Sequence, residues 1–447
     1  MHTRGNIHAC CLLAVVMLFG MTVCVYAQNS AFDFITKNRN FSASNYCIYP
    51  DSVLKKLTPS PRDKKPFYIS HYGRHGSRYL SQRKGYDIPI RMLAKGDSLG
   101  KLTPTGKDVM RQIQDIIDDS EGRWGDLTDL GKQQHKGIAR RMMKRFPEVF
   151  EGSARVDARS TTVNRCILSM GAALQALVAR NPKLQVTMDA SKHDMWYMNH
   201  QDKLLRDSMM TYAARKAYDA YCEPLEHNER LMRVLFNDSA YVKDSVNESD
   251  LLYYVLKTAL IQQNTRMHTK TDLIELFTYE EIHQFWQKEN AWWYFMYGPS
   301  LLNGGNQPYT QRHLLRRIIE EADSCIRLKK PGVQLRFGHE TIILPLTCLL
   351  GINGFGYQTA DLNELEENGW WACLVFPMAS NIQLIFYREN VFDEDVLVKV
   401  LLNENEATLP LPTDVAPYYH WRDFREYYLK KIADYERLEP DPKMKPE

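Results

Sequence analysis

Two short segments, 264 positions apart (339 − 75), each place ionisable side chains directly behind an apolar, strand-like run. The first run, Phe67-Tyr68-Ile69, follows Pro66 and leads into His71-Tyr72-Gly73-Arg74-His75-Gly76-Ser77-Arg78-Tyr79. In the second, Val333, Leu335 and Phe337 alternate with Gln334 and Arg336, and Gly338-His339-Glu340-Thr341 then opens an apolar stretch that reads as a helix. Open α/β sheets bind ligands beyond the carboxyl ends of their strands, so both junctions suit one sheet and one site.

The first turn carries most of the chemistry. Gly73 and Gly76 let the backbone turn tightly and approach a ligand. Arg74 and Arg78 flank His75; an anion relieves their mutual repulsion, and their charge pushes the imidazole toward its neutral form. A neutral imidazole suits a nucleophile, and planar guanidinium forks suit phosphate oxygens. A basic surface loop is the plainer reading of the same residues. The spacing of His71 and His75 would serve zinc on a helix, but the glycines disfavour a helix there and no H-E-x-x-H glutamate is present. His339-Glu340 alone is a weak signal; paired with the first turn it becomes informative.

The rest of the chain predicts an α/β fold, with strand-like and helix-like segments alternating at both ends and a helical middle that reads as a layer or insertion. Thr128 caps a helix running to Phe146, with Ile138, Met142, Met143 and Phe146 along one face and Gly131 and Gly137 permitting close packing. Strands are expected at Leu184 to Met188, Ile382 to Tyr387 and Val396 to Leu402. From Asp202 to Arg327 the sequence is polar, rich in Tyr, Glu, Lys and Met, and poor in strand signals. The expected division is a signal at 1–27, an α/β core at 28–200 and 331–447, and a helical substrate cap at 201–330.

Bulk charge narrows the partners. With 57 basic against 54 acidic residues and a net charge of +3, a nucleic-acid binder with a wholly basic surface is excluded. A small, strongly basic pocket is not. Arg4 precedes an apolar run from Ala9 to Val25, and Val25-Tyr26-Ala27 resembles a cleavage site, so a signal cut after Ala27 and a secreted or periplasmic product are expected. No stable membrane insertion should follow, because Ile342 to Leu350 is too short to span and contains Pro345. Cys47, Cys166, Cys222, Cys325, Cys348 and Cys373 then remain, scattered and without the C-x-x-C spacing of a zinc ribbon.

Arg74-His75-Gly76-Ser77-Arg78 resembles the R-H-G-x-R signature of the histidine acid phosphatases, the family that includes phytases and multiple inositol polyphosphate phosphatases. His339-Glu340 looks like that family's His-acid pair, and Arg159-Ser160-Thr161-Thr162-Val163-Asn164-Arg165 is similar to its R-S-T-x-x-x-R segment. Leu127-Thr128-x-x-Gly131, Pro377-Met378-Ala379-Ser380-Asn381 and Tyr387-Arg388 also fit, so the resemblance runs from about Pro66 to about Leu409. It implies an α/β, phosphoglycerate-mutase-like fold, a large domain with a mixed central sheet flanked by helices plus a smaller, mostly α-helical inserted domain, and His75 as the nucleophile that becomes phosphohistidine. Arg74, Arg78, Arg159 and His339 would hold the phosphoryl oxygens. Glu340 would protonate the leaving oxygen and then activate water. No metal or other cofactor is implied, and Arg165 is expected in a structural ion pair. Two features depart from the pattern: Leu80 stands where most of the family has proline, and the acid pair is neither His-Asp nor His-Ala-Glu.

The implied partner is a phosphorylated, polyanionic small molecule, with inositol polyphosphates favoured and Arg83 and Lys84 as candidate substrate-binding cations. Three alternatives stay open: a phosphatase of small phosphate esters, a phosphoglycerate-mutase-like phosphotransferase, and a phospho-ligand-binding protein without turnover. Export and the Glu340 acid speak against the phosphotransferase.

Overall fold

The computed structural model describes residues 30–199, 202–226, 228–327 and 331–438. The expected signal and its cut after Ala27 lie outside these residues.

Eight strands form one sheet: β1 (Lys65–Arg74), β2 (Arg155–Ser160), β3 (Gln185–Asp189), β4 (Gly332–Gly338), β5 (Asn381–Arg388), β6 (Leu397–Leu402), β7 (Asn405–Glu406) and β8 (Tyr418–His420). Their order is β3-β2-β4-β1-β5-β6-β7, with β8 paired to β6. The first four in that order run parallel, and the remainder pair antiparallel. The sheet is therefore mixed, as expected.

Among the helices around it are α1 (Ala31–Lys37), α2 (Lys84–Ser98), α3 (Pro104–Ser120), α4 (Asp129–Arg145), α5 (Asn164–Arg180), α6 (Glu248–Ile261), α7 (Tyr279–Tyr297), α8 (Arg312–Ile326), α9 (Glu340–Leu350) and α10 (Trp421–Leu438). Met142 of α4 and Met170 and Leu177 of α5 pack on Val156, Leu335 and Ile385 at one face of the sheet. Residues of α7, α8, α9 and α10 pack with Tyr68, Tyr72, Leu384 and Val398 at the other. Helices on both faces are why β5 and β6 are buried along their whole length rather than alternating.

Between β3 and β4 the described residues form helices and no strand. This helical layer shares one apolar cluster with α1, the 3₁₀ segment Arg39–Tyr46, α2 and α3. α7 ties it to the sheet: Ile282, Phe285 and Trp286 lie in that cluster, and Ala291, Trp293 and Tyr294 in the one against the sheet. Each such buried large side chain contributes about 1.5–3 kcal/mol.

Two differences from the sequence reading concern the site. β1 does not stop at Ile69 but runs to Arg74, so the first half of the turn motif is strand. β2 was not expected. Its alternation of Arg155, Asp157 and Arg159 with buried Val156 and Ala158 is too short and too charged to read as a central strand. The Thr128-capped helix is present as α4, with the Thr128 hydroxyl accepting from the Gly131 amide. All six cysteines from Cys47 onward are free thiols.

Candidate active site

One parallel ladder closes the 264-residue gap. β1 and β4 are neighbours in register, with Arg74 opposite Gly338. At their carboxyl ends the His75 amide donates to the Gly338 carbonyl (2.9 Å) and the Arg74 amide to Ser380 (2.8 Å). β2 pairs with β4 on its other side, with Ser160 opposite Phe337, and the chain re-enters at Asn164 as α5, which puts Arg165 in that helix's first turn. Gly76 is required by packing: a Cβ there would lie 2.4 Å from the Gly131 carbonyl oxygen, where the start of α4 meets the turn. Gly338 is required too, since a Cβ would collide with the Tyr72 hydroxyl.

His75 is fully buried. Its Nδ1 lies 2.9 Å from the Gly76 carbonyl oxygen, which can only accept. Nδ1 therefore carries the proton and Nε2 the lone pair. Nε2 makes no hydrogen bond and stands 3.4 Å from Glu340 Oε2. Glu340 is the first residue of α9, where the helix dipole favours a carboxylate. Its Oε2 accepts from Arg74 Nε (3.1 Å), and Oε1 accepts from Asn45 Nδ2 (3.2 Å) and faces Arg78 at 3.6 Å. His339 Nε2 lies 3.1 Å from Thr161 Oγ1, and its ring stands 5.8 Å from that of His75 between centroids.

Burial pushes His75 well below the usual histidine range, and Arg74 and Arg165 push the same way against Glu340. Burial likewise takes His339 down to about 4, helped by Arg165, Arg74 and Arg78 and opposed by Glu340. Burial alone would raise Glu340, but the Arg74 and Arg78 guanidinium groups outweigh it and hold the carboxyl well below its ordinary value. Arg74, lowered by burial to about 10, remains a cation at neutral pH.

Three guanidinium groups surround this cluster with donors unused. Arg74 Nη2, Arg78 Nε and Arg165 Nε are buried without a hydrogen-bond partner. Unpaired buried donors are costly and rare in folded proteins, and several beside one neutral imidazole suit an anionic ligand.

The structure brings together His75, Arg74, Arg78, His339 and Glu340, and it does not bring Arg159. Strand alternation sends Arg159 to the face that carries Arg155 and Asp157, where it pairs with Asp157 (3.3 Å) and Asp189 (3.3 Å) and lines a separate cavity of about 640 Å³. The cation from this segment that faces the cluster is Arg165. The structural ion pair expected of it is absent among the described residues; its charge acts on Arg74, His75 and His339. Arg83 pairs with Asp87 and Glu121 and lies over Trp124, and Lys84 opens α2 as an exposed residue, so neither is placed in the clamp. His71 does not join His75; its ring packs on Phe337 near His135.

Residues missed in the sequence reading come from two distant segments. Tyr46 lies under Arg78 (5.4 Å to the ring centroid), and Lys257 of α6 stands 5.6 Å from the same centroid. Asn264 donates to the Tyr46 carbonyl and accepts from the Ser77 hydroxyl, which also accepts from Gln134. Nothing in the sequence ties Asn45, Tyr46 or Lys257 to the motif. His75, His339 and Glu340 hold ligand atoms within 4.8 Å of one another and would satisfy the spacing of a metal site. The surrounding guanidinium groups repel a cation and attract an anion, so the donor set as a whole suits a phosphoryl group better.

A nucleophile-competent imidazole, a carboxyl group beside it and an arginine cradle on the carboxyl ends of parallel strands define a phosphoryl-transfer site. Residues 73–403 match the profile of the histidine phosphatase superfamily (branch 2), and the chain belongs to that family. It is similar to multiple inositol polyphosphate phosphatase 1 of Homo sapiens, 22% identical over 383 residues, covering 79% of this chain and 77% of that protein. Among solved structures, multiple inositol polyphosphate phosphatase of Bifidobacterium longum in complex with inositol hexasulfate shares the fold with a TM-score of 0.73 and 17% identity, over 87% of this chain and 97% of the other. The phytase from D. castellii follows with a TM-score of 0.64 and 14% identity, over 88% and 85%.

Proposed function

We propose that this phosphomonoester hydrolase is exported and removes phosphate from inositol polyphosphates through a phosphohistidine on His75. The observation that carries the reading is that His75, Arg74 and Arg78 gather around Glu340 while guanidinium donors of Arg74, Arg78 and the neighbouring Arg165 stay buried and unpaired. The phosphoryl group takes those donors, Nε2 attacks phosphorus, and the ester oxygen leaves opposite. Entry of the anion draws Arg74 and Arg78 away from Glu340 and sets negative charge beside it, which raises the carboxyl pKa so that Oε2 holds the proton needed by the leaving oxygen. The resulting carboxylate then takes a proton from water as it attacks the phosphohistidine.

The inositol polyphosphate class is supported by what the relatives are named for, and export by the apolar run before Ala27. No helix among the described residues is long and apolar enough to cross a membrane. The helical segment 201–330 serves in this reading as the cap, with Lys257 as its cation near the clamp. The engagement of Arg83 by two carboxylates favours the second reading, a phosphatase of small esters, because it removes one cation a polyphosphate would use. Phosphate release from inositol hexakisphosphate and from p-nitrophenyl phosphate, measured side by side, separates the two. A higher kcat/KM on the hexakisphosphate supports the proposal, and release confined to the simple ester refutes it.

A further inference from the structure

Glu340 has two oxygens in unlike surroundings. Oε2 faces the nucleophile and Arg74 Nε, and Oε1 is held by the amide of Asn45, a residue 295 positions away and outside the family match. Asn45 belongs to the Arg39–Tyr46 segment, and the residue before it, Ser44, is buried with φ 51° and ψ −118°. A non-glycine residue in that region costs about 1–3 kcal/mol and persists only where its surroundings impose it. Several buried contacts do so here. The Asn264 amide donates to the Tyr46 carbonyl, Asn264 also accepts from Ser77 within the phosphate-binding turn, and the Met378 amide donates to the Cys47 carbonyl. A strained, well-anchored segment thus delivers one amide N–H to one oxygen of the acid.

We propose that Asn45 is a positioning residue for Glu340: by occupying Oε1 it leaves Oε2, the oxygen beside His75, as the atom that carries and releases the catalytic proton. This rests on the reading of Glu340 as acid and base. An N–H donor on Oε1 also favours the ionised carboxyl, which the second half of the reaction requires. The other charged or titratable groups facing Glu340 are Arg74, His75 and Arg78 from the turn, Arg165 and Cys166 from α5, His339 beside it, Tyr72 from β1 and Tyr297 from α7.

The test is the pH dependence of kcat for Asn45→Asp, which keeps the side chain's shape, and Asn45→Leu, which removes the donor. Each is assayed with an alkyl phosphate, whose leaving group needs the proton, and with p-nitrophenyl phosphate, whose leaving group does not. The alkaline limb with the alkyl ester is expected to move up by about one pH unit in Asn45→Leu, the size of one lost hydrogen bond to a charged group, and further in Asn45→Asp, which sets a second carboxyl group against Oε1. Asn45→Leu should lose about tenfold or more on the alkyl ester while staying within about threefold on the aryl ester, the difference between losing and not needing the acid. Equal losses on both esters with unmoved limbs would show a structural role only and overturn the proposal, as would no change in either variant. Glu340→Gln is run in parallel: if it leaves alkyl ester turnover intact, the acid assignment fails. If it abolishes turnover while the Asn45 variants keep the parent limb, the role of Asn45 alone fails.

Discussion

At the scale of the residue, the site turns on a histidine kept neutral by its neighbours. The pKa of His75 is depressed, so the imidazole holds its lone pair above that depressed value, well into acid solution. The rate should therefore persist below pH 6.5, the ordinary histidine value, and fall on the alkaline side, as the proton shared by Glu340 and the bound ester is lost. A kcat/KM profile that instead rose through pH 6.5 would reveal an ordinary histidine. The two arginines of the R-S-T-x-x-x-R segment make a sharper test. Arg165→Ala should cost about 100-fold or more in kcat/KM on p-nitrophenyl phosphate, the scale of removing one donor to transition-state charge. Arg159→Ala should stay within about threefold, because its carboxylate partners lie away from the cluster and exposed pairs of this kind contribute about 1 kcal/mol or less. The sequence reading chose Arg159, and the reason for the error is physical. The motif names both arginines, but only the direction of β2 and the start of α5 decide which one lies toward His75.

Elements set how the clamp is closed. α6 brings Lys257 to the ring that lies under Arg78, and the Lys257 ammonium donates to the Tyr253 hydroxyl. Lys257→Met is expected to raise KM for inositol hexakisphosphate several-fold and to leave KM for p-nitrophenyl phosphate nearly unchanged; equal changes on both would remove the cation from the substrate site. α4, β1 and β4 enclose a second pair of histidines, away from the catalysis. Burial lowers His71 to about 3, with His135 and Arg336 adding to it, and burial lowers His135 to about 4. Both bind protons more readily unfolded, near pH 6.5, than folded. Their contribution to stability is complete above pH 6.5 and is lost as the pH falls toward 3 to 4. Thermal unfolding of His71→Leu should accordingly drop less between pH 7.5 and pH 4.5 than that of the parent. An identical drop would place the acid sensitivity in other groups.

For the molecule as a whole, the long-range logic of the fold was legible because chemistry marks strand ends. Apolar runs at Phe67 and Val333, each followed by ionisable residues, located the two parallel strands that meet. The helical middle also followed from periodicity, α4 from its threonine cap and apolar face, and the mixed sheet from the family resemblance. What stayed hidden depends on tertiary contact. β2 is a six-residue strand with charges on its open face, and the arm carrying Asn45 and Tyr46 gains meaning only when Glu340 and Arg78 are beside it. The balance of 57 basic and 54 acidic residues said nothing of a cluster in which donors of Arg74, Arg78 and Arg165 are buried without a hydrogen-bond partner. The central claim, a covalent intermediate on His75, is tested most directly by quenching the enzyme in alkali milliseconds after mixing with ³²P-labelled substrate and mapping the labelled peptide. The label should be acid-labile, sit on the peptide containing His75 and vanish in His75→Ala. Turnover without labelled protein, or label on another residue, would contradict the account.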